Sequence, residues 1–141
     1  MKSLKLILLS STFLFLTGCS TLKDTYDAYM MARYDTNEYF IISEIRTRSD
    51  LAAKLCDNQE EAKQVFDEIY AASLLFKNYT QNIPRNKNAH DLSLKLFDLS
   101  SQGKKQYDDN EKVSPGFCKL KLQQINRSAE SIQKVIGSKL R

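Results

Sequence analysis

With 141 residues, 21 Lys+Arg against 17 Asp+Glu and a formal charge of +4, the chain has room for one domain and not two. Its 42% apolar and 27% charged residues exclude a disordered tail, and four Gly and two Pro exclude collagen-like and low-complexity architectures. One His and no Trp leave little material for a catalytic centre.

Taken in chain order, the first element is an address. Lys2 and Lys5 precede residues 6–16, an apolar run of 11 residues reading LILLSSTFLFL. A membrane-crossing helix needs roughly 20 such residues. A basic start followed by a short apolar core is instead the pattern of an export signal. The run closes on Leu16-Thr17-Gly18-Cys19. These four residues resemble, at every position, the lipobox of bacterial lipoproteins, Leu-[Ala/Ser/Thr]-[Gly/Ala]-Cys.

The resemblance covers residues 1–19. It implies that 1–18 are a signal peptide cut before Cys19, that the Cys19 sulfur takes a diacylglyceryl group, and that the new amine is acylated. Small residues at 17 and 18 suit the peptidase, and the thiol is the nucleophile. One acyl chain holds only marginally, at about 0.8 kcal/mol per buried methylene, whereas three should hold the protein permanently. The competing reading is an uncleaved helix with a buried cysteine. In enterobacterial lipoproteins an Asp after the lipid site favours the inner membrane. By that resemblance Ser20 implies the outer membrane, periplasmic face.

Without Lys2 and Lys5 the formal charge falls to +2, and no cluster of five or more basic residues appears. Nothing here is the electrostatic footprint of a nucleic-acid binder; the expected partners are the membrane, through lipid on Cys19, and an envelope protein. In an oxidising compartment the two remaining thiols, Cys56 and Cys118, are expected to form one disulfide. On the chain-entropy model such a bridge is worth about 4 kcal/mol. Two reduced core cysteines are the alternative; a redox role is weaker, with no Cys-x-x-Cys present.

After the lipidated Cys19 and a polar tether (19–25), residues 26–141 read as one helical domain. From 24 to 55 there is no Gly or Pro, and Met30, Tyr34, Ile41, Ile45, Ala52 and Leu55 step mostly by three and four. Asn37 and Arg48 break that stripe. Asp35, with Glu38 three residues on, resembles a helix start, so the segment is one bent helix or two pieces. Asp57-Asn58 suits a turn, with Asn58 capping a second helix whose first turn carries Glu60 and Glu61. Its stripe is Ala62, Val65, Ile69, Ala72, Phe76 and Tyr79, and Pro84 stops it. The third segment, 88–110, places Ala89, Leu92, Leu96, Leu99 and Gly103 at helical steps, with Gly103 weakening its far end. Leu92, Leu94 and Leu96 also alternate as a strand would, but a lone strand has no partner. Ser114-Pro115 starts the last helix, with Cys118, Leu122, Ile125, Ala129, Ile132 and Ile136 as its stripe. Gly137, Lys139 and Arg141 suit its C-terminus.

Short connections between helices of this length predict an all-α antiparallel bundle of four helices. An up-down-up-down course carries Cys56 and Cys118 to the same end, so helix order and cysteine pairing agree. A three-helix version, with 24–82 as one long helix, satisfies the same pairing.

No reacting constellation stands out. His90 is alone, without Glu-x-x-His or His-Glu-x-x-His spacing, and reads as a surface residue near a helix start. No zinc, di-iron or calcium-loop pattern is present, and Asp108, Asp109, Asn110 and Glu111 read as a solvated helix end. Glu60-Glu61 and Asp67-Glu68 fall on the polar side of a helix. No cofactor is implied. Tyrosine is the enrichment: four of seven, Tyr26, Tyr29, Tyr34 and Tyr39, lie close together and are candidate partner contacts. Leu94, Phe97 and Leu120 sit off the main stripes, as a second core face or an exposed patch.

The expectation is a non-enzymatic, lipid-anchored binding or scaffold protein. Helix order and the early-to-late disulfide resemble the layout of secretion-system pilotins, small helical outer-membrane lipoproteins that bind a helical tail of the secretin. That likeness carries no sequence motif. The alternative is a phage- or plasmid-encoded lipoprotein acting on the host envelope, by receptor blocking or in lysis.

Overall fold

The structure, a computed structural model, describes residues 32–110 and 112–139. Cys19, Tyr26, Tyr29, Met30, Glu111 and Arg141, and with them the signal and tether readings, lie outside the described residues. Four helices follow one another: α1 (Thr36–Leu51), α2 (Gln59–Gln81), α3 (Lys87–Asp109) and α4 (Pro115–Gly137). No strand occurs among the described residues, so the alternation at Leu92–Leu94–Leu96 is helical.

Local chemistry sets each boundary. Asp35 Oδ1 accepts from the Glu38 amide at 2.9 Å. Asn58 Oδ1 accepts from the amides of Glu60 and Glu61 at 3.1 and 3.4 Å. Ser114 Oγ accepts from the Phe117 amide at 3.2 Å, with Pro115 opening the helix. Each cap satisfies donors that the first helical turn leaves without a partner. Residues 24–82 are not one rod: α1 tightens into a 3-10 turn, Ala52–Leu55, and the chain turns at Cys56 before Asn58 starts α2. The four-helix version therefore holds.

Side-chain pairs fix the antiparallel register. Tyr79 donates to Asp35 and Arg48 pairs with Glu68 between α1 and α2. Lys104 bonds Asp67 at 2.5 Å between α2 and α3, Lys121 bonds Gln102 at 3.1 Å between α3 and α4, and Arg46 bonds Gln133 at 2.7 Å between α1 and α4. Each helix thus packs on two neighbours, around a square. At 1.5 Å per residue the three 23-residue helices are about 35 Å long.

Core positions follow helical spacing on all four helices, though not always with apolar residues. On α4 the buried set is Cys118, Leu122, Ile125, Ala129, Ile132 and Ile136, as its stripe predicts. On α2 it is Ala62, Phe66, Ile69, Ser73, Phe76 and Thr80; Val65, Ala72 and Tyr79 flank it half-buried. On α3 it is Ala89, Ser93, Leu96, Ser100, Gly103 and Tyr107, with Leu92 and Leu99 at the margin. On α1 the buried face is Glu38, Ile42, Ile45 and Ser49, so Ile42 takes the place expected of Ile41, and Leu55 is 36% exposed. Gly103 does not weaken an end: α3 runs on to Asp109, and Gly103 makes room for Phe66. A Cβ there would stand 2.6 Å from Phe66 Cδ1.

Cys56 and Cys118 are both fully buried and joined, with Cα atoms 5.6 Å apart across 62 positions of sequence. The bridge ties the end of α1 to the start of α4. Beside it Gln59 clasps the backbone of Val113: its Nε2 donates to the Val113 carbonyl at 2.6 Å and its Oε1 accepts from the Val113 amide at 3.0 Å.

Candidate functional site

The α1–α4 seam is polar on its outer side. Gln133 Nε2 donates to Ser43 Oγ at 2.6 Å, Arg46 donates to Gln133, and Asn126 Nδ2 donates to the Arg46 carbonyl at 3.1 Å. These rungs hold the helices without filling the space above them. Two open depressions result, of about 680 and 310 Å³. Asp50 and Asn126 line both, so they form one groove. Leu120 lines the larger part and Leu51 the smaller, and these are exposed by 56% and 60%.

Helix geometry explains these two leucines. Each lies two residues, about 200° of rotation, from a buried position: Leu120 from Cys118 and Leu51 from Ser49. Neither can reach the core. Leu120 was legible as a residue off the main stripe. Leu51 was hidden beside Ala52, and only the register set by Ile42, Ile45 and Ser49 assigns it to the outer face. Of the other off-stripe residues, Leu94 is 44% exposed, while Phe97 is half-buried against Tyr70 at a centroid distance of 5.4 Å, under the Lys77 ammonium at 4.3 Å.

The expected tyrosine face is described only for Tyr34 and Tyr39. Their ring centroids are 5.9 Å apart. Tyr34 packs on the core margin, and Tyr39 lies over Gly137, at the end of the bundle away from the disulfide. They do not line the α1–α4 groove.

That same end holds a buried polar cluster. Lys139 pairs with Glu38, both nearly inaccessible to solvent, and donates to Asn86 Oδ1 at 2.6 Å. Asn86 Nδ2 donates to Glu38 Oε1 at 2.7 Å. Asn86 precedes α3 but does not cap it with its side chain; the amide is used in this cluster instead. Thr80 Oγ1 lies 2.9 Å from Ser93 Oγ and 3.2 Å from His90 Nδ1. His90 is therefore half-buried and bonded, and not a free surface residue, because the α2–α3 contact closes over it. The cluster was invisible in the sequence: its members lie up to 101 positions apart.

Elsewhere several carboxylates pair with lysines and arginines. Asp108 is held below the usual carboxylate range by Lys104 and then Lys63, and Lys104 is raised by Asp67 and then Asp108. Lys134 and Arg46 lower Glu130 on the groove rim. Burial raises the Tyr107 phenol. Among the described residues no group of three or more His, Cys, Asp or Glu could hold a metal ion, and no helix is long and apolar enough to cross a membrane. No family model, curated protein or solved structure matches this chain.

Proposed function

We propose that this protein is a lipid-anchored, non-enzymatic envelope lipoprotein, held at the periplasmic face of the outer membrane through Cys19, whose bundle binds a protein partner. The observation that carries the binding reading is the α1–α4 groove with Leu51 and Leu120 on its margins. A rigid groove with two large aliphatic side chains in water and bonded polar groups between them suits an amphipathic helix laid along it. The disulfide supports this use, since it fixes the spacing of the two helices that make the groove. A pilotin-like role, receiving the helical tail of a larger envelope protein, is the finer form of the reading. It rests on the same groove and on the helix order.

The test is mild crosslinking in intact cells followed by purification of the protein with its partners. A Leu51→Glu/Leu120→Glu variant should unfold at the same denaturant concentration as the parent, because both side chains already face water. It should lose the crosslinked partner by tenfold or more. Retention of every partner by this variant would remove the groove from the account. Recovery of no partner from the parent protein would remove the binding reading.

A further inference from the structure

The outer face of α1 and α2 presents large apolar side chains that the α1–α4 groove does not use. Phe40 and Leu75 are exposed by 66% and 56%. Each lies two residues, about 200° of rotation, from a fully buried position: Phe40 from Ile42 and Leu75 from Ser73. Neither can turn inward. Ile41 lies two turns before Arg48, and Ala72 two turns before Tyr79, so both line the α1–α2 seam, half-buried against the core.

Two bonded pairs set the levels along this seam. Tyr79 meets Asp35 toward one end, and Arg48 meets Glu68 further along. Counted antiparallel from either pair, Phe40 stands level with Leu75 to within one residue, about 1.5 Å. Glu44 stands level with Ala71 by the same count. At the next level Arg48 bonds Glu44 at 2.8 Å and pairs with Glu68, whose second oxygen accepts from Gln64 at 3.0 Å. Glu44, Arg48 and Glu68 all remain partly exposed, and Ala71 is exposed.

From this arrangement we infer that the α1–α2 face docks a second copy of the chain, about a two-fold axis parallel to the helices. Such an axis preserves every level and sets α1 of each copy against α2 of the other. Phe40 of each copy then meets Leu75 of the other, and four exposed apolar side chains leave water together. Arg48 of each copy faces Glu68 of the other, so these two cations and two anions alternate around a square. Glu44 faces Ala71, whose small side chain lets the helices approach. The face is thus complementary to itself in both apolar surface and charge. The same axis keeps the first described residues of both copies at one end, as two chains held in one membrane through Cys19 require. The α1–α4 groove opens on another face of each copy.

The test is sedimentation equilibrium of the full-length protein, extracted from membranes into density-matched detergent. The parent is expected to show a monomer–dimer equilibrium. A Phe40→Glu/Leu75→Glu variant should unfold at the parent's denaturant concentration, because both side chains already face water. It should weaken the dimer by roughly a hundredfold or more, since it forces carboxylates into the contact. Arg48→Glu and Glu68→Arg each set like charges opposite one another at two places, so each alone should weaken the dimer roughly tenfold or more. Mixed in equal amounts, these two variants should recover the dimer, because opposite charges again face each other at both places. Leu120→Glu, on the α4 margin of the groove, should leave dimerisation unchanged. A monomeric parent, a Phe40→Glu/Leu75→Glu variant that still dimerises, or mixed charge variants that stay apart would each overturn the proposal. Loss of the dimer in Leu120→Glu would also overturn it, by moving the contact to the groove.

Discussion

At the scale of single residues, the Glu38–Lys139 pair is the fully buried ion pair among the described residues. Taking both charges out of water carries a penalty that their attraction and the two Asn86 bonds must offset. The pair joins the first turn of α1, the α2–α3 connection and the residues after α4. Its bonds tie these three segments to one another. Glu38→Gln should destabilise the fold by about 3 kcal/mol, since it leaves a buried ammonium without its counter-charge. Glu38→Leu combined with Lys139→Met should cost far less than the two single changes added together. Denaturant unfolding of the four proteins measures the coupling, and additive losses would contradict this picture.

At the scale of elements, legibility followed how purely each helix face was apolar. The α4 stripe was readable to the residue because every buried position on it is Cys, Leu, Ile or Ala. The caps at Asp35, Asn58 and Ser114 were readable because capping is local chemistry. On α1 the reading faltered because Glu38 and Ser49 point inward while Phe40 and Leu51 point to water. On α3 the small buried residues Ser93, Ser100 and Gly103 carry little hydrophobic signal, yet they let α2 approach. Gly103 shows how propensity misleads: glycine is a poor helix former, but here the missing side chain is what Phe66 requires. Gly103→Ala should therefore destabilise the domain by about 1–3 kcal/mol despite its better helix propensity, because the Phe66 ring is fully enclosed. A melting temperature equal to or above the parent's would contradict that. The α1–α4 groove was legible only at Leu120, since its shape depends on register between helices some 80 residues apart in sequence.

At the scale of the whole molecule, the bundle has two unlike ends. One carries the disulfide and the Gln59–Val113 clasp. The other carries the buried ion pair, Tyr34, Tyr39 and the first described residues. Replacing Cys56 and Cys118 by Ala should lower unfolding free energy by about 4 kcal/mol through the freed loop alone. Denaturant titration of the variant against the oxidised parent measures it, and an unchanged midpoint would mean that the bridge constrains nothing.

The proposed role depends on a polypeptide that begins at an acylated cysteine. Intact-mass and peptide spectra of protein taken from cell envelopes, alkylated before reduction, read this directly. The expected spectrum has Cys19 as the first residue with three acyl chains, and Cys56 and Cys118 joined and unlabelled. A chain that starts at Met1 without acyl groups, or alkyl label on Cys56 and Cys118, would contradict it.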